Sequence, residues 1–193
     1  MRHPETLQRP AGIPPGQHAV DRLPVLHVGE IPSFDAARWR LELSGEIDSP
    51  ASLAWSEVRE MEEVEVVAPM HGATGWSRLE NRWRGVRFAE IARLVRPKDT
   101  ARFVRFSDGE LYDTTLPLEV AIEADVLLAR MLDERALAPA HGGPLRLVVP
   151  SRYAWKSVKW LRAVEFLRED RPGFWEARGF DGNADPWREE RWA

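Results

Sequence analysis

His141-Gly142-Gly143-Pro144-Leu145-Arg146-Leu147-Val148-Val149-Pro150-Ser151-Arg152-Tyr153-Ala154-Trp155-Lys156-Ser157-Val158-Lys159-Trp160 is the most informative stretch of the chain. Residues 145–149 form a nearly continuous apolar run of strand length, opened by Gly-Gly-Pro and closed by Pro150. Such a run reads as an interior strand. Arg146, Arg152, Lys156 and Lys159 lie on this strand and in the loop after it. Guanidinium forks and ammonium groups beside backbone N–H donors are what a phosphate needs. A strand with solvated charges at its ends fits the same residues, and the pattern alone leaves both readings open.

Working outward, residues 126–132 are a second apolar run of strand length. Residues 156–167 are ambiguous: Val158, Trp160, Val164 and Phe166 keep a period of two, broken by Arg162, while Trp160, Leu161, Val164 and Leu167 suit a helix equally well. Further strands are expected at 39–43, ended by Ser44-Gly45, at 64–68, stopped by Pro69, and at 102–107, running into an Asp108-Gly109 turn. A short helix capped by Ser56 is expected before Glu57-Val58-Arg59-Glu60-Met61. Phe88, Ile91, Ala92 and Val95 predict a helix that Pro97 ends.

The prolines of residues 1–34 indicate an extended N-terminal arm whose apolar residues lie against the body. Residues 35–170 make that body. Residues 171–193 form a C-terminal coil whose Trp175, Trp187 and Trp192 are expected to pack down on it. The whole is an α+β domain, mostly β, with mixed sheets, short helices and irregular terminal arms.

At 193 residues the chain suits one domain with a sizeable core. A net charge of −4 gives no reason to expect a nucleic acid or a membrane surface as partner. There is no cysteine, which excludes disulfides, thiol nucleophiles and any protein thiolate to a soft metal. No apolar run reaches the ~20 residues of a membrane span, and the start carries no export signal, so a cytoplasmic protein is expected, with a monomer as the default because the length leaves no room for a second, dimerising domain.

A second segment also carries chemistry. Val67-Ala68-Pro69-Met70-His71-Gly72-Ala73-Thr74-Gly75-Trp76-Ser77 is followed by Asn81-Arg82-Trp83-Arg84-Gly85-Val86. A strand running into a loop with His, two glycines, Thr and Ser can bring backbone close to a ligand. It can equally be a tight connection around a satisfied histidine.

Together the two segments resemble the sulfite-oxidase-like family of molybdopterin-dependent oxidoreductases. That family reads His-Cys-Val-Thr-Gly-Trp-Ser and Asn-x-Trp-x-Gly-Val, then His-Gly-x-Pro-Leu-Arg-Leu-Val-Val-Pro and Tyr-x-x-Lys-Ser-x-Lys-Trp. The resemblance extends to Leu23-Pro24-Val25-Leu26-His27-Val28-Gly29, to Asp170-Arg171-Pro172-Gly173-Phe174-Trp175-Glu176 and to Asp185-Pro186-Trp187-Arg188-Glu189-Glu190-Arg191. It implies a sulfite-oxidase-type domain cradling one molybdopterin, and a strand over 158–166. It implies that Arg146, Ser157, Val158 and Lys159 hold the pterin and its phosphate, joined by His141, by His27 from the arm, by His71 near the metal face, and by Ser107.

Gly72 stands where the family has its metal-ligating cysteine. The resemblance therefore implies a pterin pocket without a protein–metal bond. Three functions follow. The first is oxygen-atom transfer on a small oxyanion or sulfoxide-like substrate, with His71, Arg78 and Arg152 as catalytic candidates and a separate electron-transfer protein. The second is a non-catalytic module that binds, carries or senses the pterin cofactor. The third is a scaffold, against which Arg146, Ser157 and Lys159 speak.

Overall fold

A computed structural model describes residues 6–8 and 12–193 of the chain, the side chains from residue 12 onward. The remainder of the proline-rich arm (1–5 and 9–11) lies outside the described residues. Two mixed sheets pack around a common core. The larger one contains β1 (Thr6–Gln8), β2 (His18–Ala19), β5 (Val64–His71), β6 (Trp76–Arg87), β9 (Leu127–Leu132), β10 (Arg135–Ala136) and β11 (Arg146–Val148). The smaller one runs β4 (Ala51–Ala54), β3 (Arg40–Gly45), β12 (Ala163–Leu167), β7 (Phe103–Ser107), β8 (Asp113–Pro117). Among the described residues three short α-helices, α1 (Trp55–Glu60), α2 (Phe88–Val95) and α3 (Leu118–Ala121), and four single-turn 3-10 helices complete it. Among the described residues no helix is long and apolar enough to cross a membrane.

The apolar runs explain where the core sits. On β9, Leu128 joins the main core between the sheets, while Leu127 and Ala129 join a second cluster on the opposite face. On β11, Leu147 faces the main core and Val148 the second cluster. Both strands are covered on both faces, so their positions are apolar except for Arg130 on β9 and Arg146 on β11. Arg146 shares Val148's face by the two-residue period, and it is 3% exposed. This charged side chain, on the face away from the main core, is where a ligand pocket is to be sought.

The helix at α2 forms as its spacing predicts, with Phe88, Ile91, Ala92 and Val95 all buried. Phe88 meets Phe106 edge-on at 4.9 Å, tying the helix to the smaller sheet. At α1 the expected cap differs. The helix begins at Trp55, so Ser56 lies inside the first turn. The Glu57 carboxylate instead accepts from the Ala54 N–H at 2.7 Å.

Other expectations are corrected by backbone geometry. β5 does not stop at Pro69. It continues to His71 through a register shift between Ala68 and Met70, which absorbs the missing N–H. The implied strand over 158–166 is realised only as β12, and residues 157–162 are irregular, with Trp160 in the left-handed region at φ 53°. That segment still follows β11 through Leu147 N–H to Val158 O and Leu161 N–H to Leu145 O.

Of the arm's apolar residues, Leu23 is buried, whereas Ile13, Val25, Leu26 and Ile31 remain exposed. Trp187 and Trp192 are exposed too, although Trp192 touches Phe180 at 4.5 Å between ring centroids.

Candidate functional site

On the second face of the larger sheet lies a cavity of about 360 Å³, within the range of small-molecule sites. The arm at 23–28, the β5–β6 turn, and the loops on either side of β11 enclose it. Its two ends differ in chemistry.

At the first end, His27, His141, Arg146, Ser157 and Lys159 line the wall. Arg146 donates to His141 O at 2.8 Å and to Ser157 O at 3.1 Å, and its guanidinium lies 5.4 Å from the Trp83 ring centroid. Lys159 Nζ donates to Leu26 O at 2.8 Å and to Ala140 O at 2.7 Å, which ties the arm across the cavity mouth. Ser157 Oγ accepts from Val149 N–H at 3.0 Å, fixing the irregular segment against the end of β11. His27 Nδ1 lies 3.0 Å from Gly29 O, and its ring stands edge-on to Trp160 at 5.5 Å.

Carbonyl dipoles hold both cations in place, and no Asp or Glu is among the lining residues. Burial and the neighbouring guanidinium pull the Lys159 ammonium down to about 8. Burial, Lys159 and Arg146 hold His141 below its ordinary value. Burial brings Arg146 down to about 10, leaving it charged at neutral pH. A buried guanidinium and a half-buried ammonium, with no carboxylate among the residues that line the cavity, call for an anionic ligand.

The second end is aromatic, built by Trp76, Trp155, Trp175 and Phe180 together with the backbone of Gly72, Ala73 and Thr74. A three-residue turn places that backbone. Gly75 N–H donates to Gly72 O at 3.1 Å, Gly72 N–H donates to Trp76 O at 2.8 Å, and Gly75 adopts φ +91°. This is a type I turn with a bulge, which needs glycine at its left-handed position. Both terminal arms clamp the turn from outside: Gln17 donates to Gly72 O at 3.1 Å and Arg191 to Ala73 O at 3.1 Å. The indole N–H groups of Trp76 and Trp155 are buried without a partner among the described residues.

Behind the aromatic wall, Lys156 pairs with Glu176 at 2.6 Å, with 1% and 7% of the two side chains exposed. Lys156 also donates to Thr115 O at 2.9 Å, and Thr114 Oγ1 donates to Glu176 at 2.7 Å.

Of the residues named from the sequence, the fold gathers His27, His141, Arg146, Ser157 and Lys159 at one end of the cavity. The others lie elsewhere. His71 is 1% exposed, does not line the cavity, and pairs its Nδ1 with Ser77 Oγ at 2.7 Å. Burial pulls its pKa down to about 4, so the ring is neutral near pH 7. Arg78 is committed to Asp133 and Asn81, both at 2.6 Å. Arg152 donates to Ser151 O at 3.0 Å and is not among the lining residues. Ser107 Oγ accepts from Gly109 N–H at 2.9 Å within its own turn. Val158 is buried in the main core.

Sequence reasoning misses Tyr112. It lines the cavity and donates to Trp155 O at 2.6 Å, but nothing in its local sequence marks it. Trp175 reads from sequence only as a packing residue and Phe180 carries no signal, since the C-terminal coil shows no periodicity. Lys156, grouped by sequence with the phosphate-binding cations, turns instead to Glu176 behind the wall.

A family profile described as the oxidoreductase molybdopterin binding domain matches residues 28–175. The uncharacterized oxidoreductase YuiH of Bacillus subtilis is 40% identical over 180 residues, covering 93% of this chain and 91% of YuiH. Sulfite oxidase of Arabidopsis thaliana is 30% identical over 188 residues, covering 79% of this chain and 48% of that one. The protein-methionine-sulfoxide reductase catalytic subunit MsrP of Campylobacter jejuni is 27% identical over 176 residues, covering 80% of this chain and 59% of MsrP. The chain thus spans most of YuiH but only about half to three-fifths of the other two. Among solved structures, the sulfane dehydrogenase SoxCD of Paracoccus pantotrophus shares the fold with a TM-score of 0.65 at 18% identity, over 72% of this chain and 41% of that chain.

A cavity with a cationic end on a mixed-sheet α+β scaffold is thus a molybdopterin-binding oxidoreductase domain. The chain belongs to the sulfite-oxidase-like molybdopterin-binding family.

Proposed function

We propose that this domain binds molybdopterin with its phosphate at the cationic end, held by Arg146, Lys159, Ser157 and His141, and serves oxygen-atom transfer on a small oxyanion or sulfoxide-like substrate. The observation that carries this reading is the buried Arg146 with the half-buried Lys159 beside it, both anchored by carbonyls with no acidic residue among those lining the cavity. The donor set suits a phosphate: a guanidinium fork, an ammonium and a hydroxyl converge on one wall. When bound, the cofactor supplies two-electron oxygen-atom exchange. The chain's own residues bind the phosphate, orient the ring system along the second face of β11, and exclude water with the arm at 23–28. His27 closes the phosphate end from the arm side. The substrate approaches the aromatic end, where Trp155, Trp175 and Phe180 offer apolar walls. A separate electron-transfer protein completes the cycle.

Gly72 favours a second reading, because glycine offers no side chain to a metal. In that reading the domain binds the pterin cofactor without turnover, as a carrier or sensor. Metal and pterin content per chain decides between the two after expression in a host that makes the cofactor with ample molybdate. Stoichiometric metal and pterin support the oxidoreductase, and pterin without metal supports the module. Arg146→Gln is expected to reduce pterin content at least about tenfold, by loss of a buried charge-assisted contact. Pterin-free wild-type protein overturns both readings.

A further inference from the structure

Tyr112 lines the cavity from the loop between β7 and β8, and its surroundings reach both ends. Asp108 puts it there. Its Oδ1 accepts from the N–H groups of Glu110, Leu111 and Tyr112 at 2.9, 3.0 and 3.0 Å, and its N–H donates to Tyr112 O at 3.0 Å. One carboxylate oxygen thus closes the loop on itself and fixes the backbone just before β8 begins. The phenol ring packs on Phe174 with centroids 5.7 Å apart, and its hydroxyl donates to Trp155 O at 2.6 Å. Trp155 belongs to the aromatic end. Arg146 belongs to the cationic end, and its charge and the phenol act on each other. Burial, aided by Glu176 and Asp113, raises the phenol well above its ordinary pKa, so it stays protonated and neutral.

A phenolic hydroxyl can donate one hydrogen bond and accept as well. Here its proton is spent on Trp155 O, so toward a ligand the oxygen can only accept. The cationic end is poor in that property. Arg146 and Lys159 can only donate, Ser157 Oγ already holds the Val149 N–H, and no carboxylate lines the cavity. A buried heterocycle with ring N–H and amino groups needs acceptors as much as its phosphate needs donors, because an unpartnered donor in the interior bears its full desolvation cost. We infer that Tyr112 is a ligand-binding residue whose hydroxyl oxygen accepts from an N–H of the bound heterocycle between the two ends of the cavity. This rests on the molybdopterin reading given above and adds a selection to it: of two ring systems of similar shape, the site favours the one that presents N–H donors. A phenolate at this place would compete with the phosphate for Arg146. The neutral phenol does not.

Tyr112→Phe keeps the ring and removes the oxygen. Wild type and variant, each as the whole chain from a host that does not make the cofactor, are titrated with three probes. Pterin presents N–H and amino donors, 1,3-dimethyllumazine is a pteridine of similar shape without any N–H, and sulfate needs only the cationic end. Pterin affinity is expected to fall about three- to tenfold in the variant, the loss of a neutral hydrogen bond. The affinities for 1,3-dimethyllumazine and sulfate are expected to stay as in wild type. A hydroxyl that merely ties the loop to Trp155 O would move both pteridines together, so equal losses overturn the inference. Unchanged pterin affinity in the variant overturns it too, as does a wild type that binds pterin no more tightly than 1,3-dimethyllumazine. That last comparison needs no variant and decides the matter even where Tyr112→Phe does not accumulate. Failure of the molybdopterin reading shows elsewhere: wild type from a cofactor-making host then carries no pterin, while the probe pair still decides whether Tyr112 accepts from an N–H.

Discussion

The cationic and aromatic ends of the cavity are held together in opposite ways. At the cationic end, charged groups face inward and backbone carbonyls fix them, as with Arg146 on His141 O and Ser157 O. At the aromatic end the rings face inward, and the charge sits behind them in the Lys156–Glu176 pair. Each member of that pair is the chain neighbour of a wall residue, Lys156 of Trp155 and Glu176 of Trp175. One end presents charge and waits for a counter-ion. The other has neutralised its charge internally and presents only apolar surface. A ligand that is anionic at one pole and apolar or weakly polar at the other matches this division.

The largest way to break the comparison is to remove the charge behind the aromatic wall. Glu176→Ala leaves the Lys156 ammonium buried with only a carbonyl and is expected to cost about 3–5 kcal/mol in chemical denaturation. Burial already holds Lys156 below its ordinary pKa, which is the same penalty seen from the ammonium. The paired exchange Lys156→Met with Glu176→Leu is expected to recover most of that loss, because two desolvation penalties vanish together. Sulfate binding at the cationic end, followed by calorimetry, should survive in the paired variant. If it collapses there, the two ends are one mechanical unit and the comparison fails.

A smaller effect lies under the hairpin that carries Gly72 and Trp76. His71 is neutral in the fold because burial holds it near 4, whereas the unfolded chain protonates it near 6.5. The unfolded state therefore binds more protons between these values. Stability is full above pH 6.5 and is lost as pH falls towards 4, by on the order of 3 kcal/mol. His71→Asn keeps a partner for Ser77 and should flatten that part of the pH–stability curve. An unchanged slope would assign it to carboxylates elsewhere.

How much of this was legible in the sequence differs between the two ends. The cationic end was open to reading because Arg146 interrupts an apolar run whose neighbours demand burial on both faces. A buried guanidinium has few explanations. The pattern alone still leaves solvated strand ends open, and it is the family resemblance that assigns Ser157, Lys159, His141 and His27 to the same pocket as Arg146. The aromatic end was not legible, because it depends on register and on the C-terminal coil. Pro69 looked like a stop because a proline ends most interior strands, yet the bulge at Ala68/Met70 carries β5 two residues further. The left-handed Trp160 likewise defeats any periodic reading of 157–162. Arg78 and Arg152 stand out in the sequence by charge, and charge in sequence does not say which partner will claim it. Asp133 claims the first, and a local carbonyl the second.

The finest discrimination between the ends is by pH above neutrality. Burial and Arg146 lower Lys159 to about 8. A bound anion favours the protonated ammonium, so binding raises that value. Affinity for an anion is then fully present below pH 8 and falls as pH rises through it, by up to about tenfold per unit until the bound form also loses its proton. His141, already held below its ordinary value, is neutral throughout this range and adds no slope, while Arg146 stays charged until about pH 10. Sulfate is the cleaner probe than phosphate, since its own charge is constant here. Its stabilisation of the melting temperature should fade between pH 8 and pH 9 in the wild type. In Lys159→Gln it should be weak and flat over the same range. A ligand confined to the aromatic end, such as an uncharged sulfoxide, should show no such slope. A slope that persists in Lys159→Gln would place the titrating group elsewhere and remove the ammonium from the anion site.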